Sequence, residues 1–127
     1  MKIDYLESGS PDCPLVRIYG TSIPEFKALH SVSRQLSVGS VDRVAVEALS
    51  GYESTDGTSL IFSRSGISEG FIQTGKKFEL RITQAEWERI AYLIEPFLQR
   101  AGGYQWLWDT AKDRIFLLLS STENGEW

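Results

Sequence analysis

The sequence is poor in the residues that build reactive or metal-binding sites. Of its 127 residues, one is cysteine (Cys13) and one is histidine (His30). A lone cysteine has no partner for an intrachain disulfide, which excludes a disulfide framework. One Cys and one His cannot supply the four ligands of a structural zinc site. A Ser–His–Asp triad or a Cys–His dyad would have to use His30. That residue falls within a helical pattern beside Leu29, and no spacing brings Cys13 or any particular serine to it. We read it as a boundary or surface residue. No apolar run exceeds five residues, as at Ile115 to Leu119, whereas a helix crossing a bilayer needs about twenty.

Basic charge is also scarce. Lys and Arg number 13 against 17 Asp and Glu, a net charge of -4. Nucleic-acid binding relies on many phosphate-neutralising cations, so that class is disfavoured. Charges are well mixed, with five basic and eight acidic residues in 1–63 and eight and nine in 64–127. The opening MKIDYLESGS lacks the apolar centre of a secretory signal, and with the single cysteine this predicts a cytoplasmic protein without a membrane anchor. Glu53 with Asp56, and Asp109 with Asp113, share loops but lack the alternating spacing of a calcium site. Gly102-Gly103 follows a helical pattern instead of opening one, the wrong polarity for phosphate. No cofactor and no metal are expected, and the residues favour a non-catalytic role.

What is present reads as alternating strands and helices. Residues 1–12 read as an extended arm, and 13–127 as one α+β domain. Leu15 to Tyr19 is a short strand. Ser22 and Glu25 form a capping box, with Pro24 in the first turn, and open a helix that buries Phe26, Leu29 and Leu36 before Gly39 ends it. Strands are expected at 41–49, 59–64 and 67–73, with a loop at 52–57. Phe78, Leu80 and Ile82 alternate with Glu79 and Arg81 as in a half-buried strand. Thr83 and Glu86 form a second capping box. Trp87, Ile90, Ala91, Ile94, Phe97 and Leu98 then recur at helical spacing. Pro96 predicts a kink or a looser last turn, and Gly102-Gly103 a left-handed cap. Strands follow at 104–108 and 114–120. Ile115 to Leu119 is apolar on both faces, so it should be central and covered.

The chain also echoes itself. Leu15-Val16-Arg17-Ile18 resembles Glu79-Leu80-Arg81-Ile82, and each is followed by a capping box, an aromatic and an amphipathic helix. Two strand–helix–strand–strand units, with one extra strand between them, would build one mostly antiparallel sheet of about seven strands, with two helices on one face.

The aromatics carry the functional signal. Tyr104, Trp106 and Trp108 alternate, so a regular strand puts all three on one face. They are either core or a recognition surface, since Trp and Tyr dominate binding hot spots. Trp127 lies in a polar tail and should dock on the domain or on another subunit. Arg17 and Arg81 should face solvent or cross-strand acids such as Glu47. Tyr104, Trp106, Trp108, Trp127, Arg17 and Arg81 are therefore the candidate binding residues. Two readings follow. The first is an interaction domain that binds a protein partner or forms a homodimer through an aromatic sheet face or edge. The alternative is a domain or weakly marked enzyme for a small acidic ligand, with a pocket between sheet and helices lined by Trp87, Trp106 and Trp108 and an arginine holding the acid.

Overall fold

The computed structural model describes residues 1–10, 13–99, 102–110 and 114–127. Pro11 and Asp12 of the expected arm, and Asp113 of the expected turn, lie outside that set, as does the side chain of Cys13. In chain order the elements are β1 (Lys2–Ser10), β2 (Cys13–Tyr19), α1 (Ile23–Val38), β3 (Arg43–Ala45), β4 (Glu53–Ser54), β5 (Ser59–Arg64), β6 (Gly70–Thr74), β7 (Lys77–Ile82), α2 (Gln84–Ile94), β8 (Tyr104–Trp108) and β9 (Phe116–Ser120).

These strands form two mixed sheets, where one mostly antiparallel sheet is the expectation from sequence. The five-stranded sheet runs β4-β1-β2-β9-β8 and the four-stranded sheet β3-β5-β7-β6. The cause is pairing between distant segments. Strand β2 pairs in parallel with β9, and β5 in parallel with β7, while β1–β2, β8–β9, β3–β5 and β6–β7 are antiparallel. Read as β1-β2-β9-β8 and β6-β7-β5-β3, the sheets match in strand order and in the sense of every pairing. Each strand–helix–strand–strand segment therefore starts in one sheet and ends in the other.

Both sheets turn one face to a shared core. Ile3, Val16, Ile18, Leu117 and Leu119 come from the first, Leu60, Phe62, Phe78, Leu80 and Ile82 from the second. The stripes of both helices enter the same cluster through Phe26, Leu29 and Leu36 and through Trp87, Ile90 and Ile94. The Trp87 ring lies 4.7 Å from Phe62, and its indole N–H donates to the Ser63 carbonyl at 2.9 Å. Burying side chains of this size contributes roughly 2 kcal/mol each. Lys2–Ser10, expected in the arm, pairs with both β2 and β4, and Ile3 is fully buried. The Tyr5 ring lies 4.6 Å from Phe78 across the two sheets, and Asp56 accepts the amides of Tyr5 and Thr58, each at 3.0 Å.

Several local expectations change in physically readable ways. The strand expected at 41–49 shortens to Arg43–Ala45, because Val46 enters the core and the chain turns through a 3-10 segment, Val46–Ala48. Glu47 then bonds the Ser59 hydroxyl at 2.6 Å and the Leu60 amide at 3.0 Å, so it faces neither arginine. Pro96 tightens the end of α2 into a 3-10 turn, Glu95–Leu98, where the sequence predicts a kink or a looser last turn. That turn ends at Leu98, and Gly103 (φ 79°) precedes β8. Glu53–Ser54, in the expected loop, forms the short edge strand β4.

The two capping boxes also diverge. Thr83 accepts the Glu86 amide, as a working cap does. Ser22 makes no side-chain cap bond, and the Glu25 carboxylate takes the Met1 ammonium group instead. Gly39 (φ 77°) does end α1 in the left-handed conformation. Thr83→Ala is expected to cost about 1 kcal/mol of stability and Ser22→Ala only a few tenths, as measured by urea unfolding.

Candidate interaction surface

The geometry of β8 decides where the aromatics go. Tyr104, Gln105 and Trp106 pair in step with Ser120, Leu119 and Leu118, but Trp108 pairs with Leu117. Leu107 is thus an extra residue, a β-bulge. A one-residue slip moves every later side chain to the other face. Trp108 therefore joins Leu117 in the core and is nearly buried, while Tyr104 and Trp106 stay on the outer face. The three aromatics do not share one face, as the plain alternation predicted.

The outer face of the five-stranded sheet carries a row of rings. Tyr104 and Trp106 meet edge to face at 6.5 Å, and Trp106 and Phe116 at 5.8 Å. Tyr104 is 50% exposed, and Trp106 and Phe116 are half-buried. Leu15 and Leu118 lie on the same face by register and are fully buried, yet neither belongs to the core cluster. They form a small second apolar layer on this side of the sheet.

Arg17 organises the neighbouring part of that face. It stands opposite Asp4 in the β1–β2 register. Its guanidinium grips the Asp4 carboxylate in a fork, Nε to Oδ1 at 2.8 Å and Nη2 to Oδ2 at 2.5 Å. Bidentate pairs of this kind are the strong ones. The Asp4 bond also raises the Arg17 pKa. Nη1 holds the carbonyls of Asn124 and Gly125, both at 3.0 Å, and so clamps the tail. The guanidinium stacks 4.6 Å from the Tyr19 ring and 5.9 Å from that of Trp127. Trp127 docks on its own domain in this way and remains 44% exposed. Gly125 (φ 70°) is required by this packing, since a Cβ there would lie 2.6 Å from Arg17 Nη1.

Arg81 lies on a different sheet and does not join this group. On the outer face of the four-stranded sheet its Nε donates to Glu79 at 3.1 Å and its Nη1 to Glu69 at 3.3 Å. Glu79 also accepts the Ser63 hydroxyl at 2.7 Å and lies 3.7 Å from Arg43. Partial burial pushes the Glu79 pKa up, but the bonds from Arg81 and Ser63 and the nearby positive charges outweigh it, so Glu79 is held below its ordinary value.

Both arginines are thus engaged by carboxylates of their own chain. The residues named for a ligand pocket are also not brought together: Trp87 and Trp108 are in the core, and Trp106 is on the far side of the sheet. His30 is half-buried on α1, and among the described residues its Nε2 has no hydrogen-bond partner. Among the described residues, no three His, Cys, Asp or Glu side chains cluster to hold a metal ion. No helix there is long and apolar enough to cross a membrane. Sequence reasoning missed Asp4, Phe116 and Leu118 as parts of this face. The alternation Ile3-Asp4-Tyr5 is a signal that could have placed Asp4. No protein family, curated protein or solved structure matches this chain.

Three outcomes follow. Arg17→Met strands the buried Asp4 carboxylate and is expected to cost about 3 kcal/mol in denaturant unfolding. Gly125→Ala should instead loosen the tail alone, read as greater quenching of Trp127 emission by acrylamide. For Glu79 the folded pKa is the lower one, so its stabilisation is complete above the ordinary value of 4.5 and is lost as the pH falls through the folded value. Glu79→Gln is expected to flatten the acid limb of the stability–pH curve.

Proposed function

We propose that this chain is a non-catalytic interaction domain, which binds a protein partner or a second copy of itself through the outer face of the five-stranded sheet at β8 and β9. The observation that carries this reading is the row Tyr104–Trp106–Phe116, left on a face opposite the shared core. Apolar side chains on a sheet face are ordinarily covered, and contiguous aromatic patches mark contact sites. Tyr and Trp are also the residues that dominate hot spots, because they bury a large rigid area at low entropic cost.

The edge position of β8 supports the same reading. Among the described residues its one sheet neighbour is β9, so β8 is an edge strand. Two side chains partly blunt that edge, with Arg89 bonding the Leu107 carbonyl at 3.2 Å and Gln105 the Trp106 carbonyl at 3.2 Å. The ring face is thus a better contact than strand addition. The engaged state of Arg17 and Arg81 argues for protein over a small acidic ligand. The single cysteine suits a cytoplasmic setting.

The test compares the wild-type chain with Tyr104→Arg and Trp106→Ala. Self-association is read by sedimentation velocity across a concentration series, and partner capture by affinity purification with mass spectrometry. Each substitution is expected to weaken the association by about 2 kcal/mol, roughly thirtyfold. A wild-type chain that stays monomeric and retains no protein, or folded variants that keep every wild-type association, would refute the proposal.

A further inference from the structure

A groove of about 430 Å³ lies across the edge of β8 from the proposed contact face, where the end of α2 and its 3-10 turn meet that strand. Its lining includes Tyr92, Glu95, Pro96, Leu98, Gln99 and Gln105. Tyr92 is 71% exposed, the highest value among the large hydrophobic side chains of the described residues. The helix spends this position on an aromatic ring in solvent. Among the described residues that line the groove, Glu95 carries the only formal charge.

We propose that this groove receives a lysine or arginine side chain presented by the partner protein, an inference that rests on the interaction reading above. Charge and shape both fit such a side chain. Glu88 stands four residues before Tyr92 and Glu95 three after, spacings that share one helical face. Of these two carboxylates only Glu95 lines the groove with the ring, and the cation on the same face, Arg89 three before Tyr92, is held by Glu86 and the Leu107 carbonyl. An aromatic face attracts a cation through its quadrupole, and adjacent carboxylates strengthen that attraction. Pro96 and Leu98 offer apolar surface to the methylene stem that a basic side chain buries while its head stays polar. Gln105 has its amide nitrogen on the Trp106 carbonyl, which leaves its oxygen as an acceptor. Gln99 adds a second amide. An acidic or phosphorylated side chain would meet Glu95, and the net charge of -4 opposes it at longer range.

Gln105 alternates with Tyr104 and Trp106, so the groove opens on the helix side of β8, across the strand edge from the contact face. A partner seated on the rings could extend one basic residue over the strand edge into it.

The test uses the intact chain, isotope-labelled, titrated with the amides of N-acetyl-arginine, N-acetyl-lysine, N-acetyl-norleucine and N-acetyl-glutamate. The two basic probes are expected to shift the backbone amides of Tyr92, Leu98, Gln99 and Gln105 saturably, and the norleucine and glutamate probes are not. Tyr92→Leu should weaken binding of the basic probes roughly two- to fivefold, and Glu95→Gln should weaken it and reduce its dependence on salt. Absence of a saturable shift from either basic probe overturns the proposal, as does an equal response to norleucine or glutamate. The probes need no partner protein, so this result stands apart from the association experiment on Tyr104 and Trp106.

Discussion

Two parallel strand pairs hold the chain together, β2 against β9 and β7 against β5. Each joins the first strand of one strand–helix–strand–strand unit to the last strand of the other, so neither unit owns a sheet. Parallel strands need cover, and here it comes from helices that belong to both units. Phe26 on α1 meets Phe97 beyond α2 at 5.1 Å, and Trp87 on α2 meets Phe62 on β5. One core therefore serves two sheets, and loss of either parallel pair would open both. Asp56 and the Tyr5–Phe78 contact tie the sheets at their margin.

Sharing one core leaves each sheet a second face, and the two outer faces have been used differently. On the four-stranded sheet it is a charged mesh of Arg43, Glu79, Arg81 and Glu69. Such exposed pairs contribute little stability and keep a face wet. On the five-stranded sheet the outer face is apolar and aromatic. The Asp4–Arg17 fork bounds it on one side and pins the tail there. The corresponding arginines, 17 and 81, thus sit at similar positions on their central strands but serve unlike surroundings.

Local physics made much of this legible. Thr83, Glu86 and the apolar spacing from Trp87 to Phe97 announce α2, and Phe78, Leu80 and Ile82 announce β7, because both signals depend only on near neighbours. The echo of residues 15–18 in 79–82 pointed to two related strand starts. The division into two sheets was not legible, because the pairing of Leu15 with Phe116 leaves no local mark on either strand. The bulge was hidden for a related reason. Its extra residue is an ordinary leucine, with no glycine to signal a change of conformation, so Tyr104, Trp106 and Trp108 looked like one stripe. Phe116 and Leu118 escaped notice because β9 is apolar on both faces and names neither as outer. Arg17 was recognised, but its partner Asp4 sits in a segment that composition alone reads as an arm.

The contact surface depends on β8 placing one tryptophan outside and the next inside. The four indole N–H signals of the labelled monomer, recorded in dilute solution with a soluble paramagnetic agent, test this most directly. Trp106 and Trp127 should broaden strongly, while Trp87 and Trp108 stay sharp. Equal broadening of Trp106 and Trp108 would contradict it, because it would put both rings on one face and remove the bulge from which the contact surface is argued.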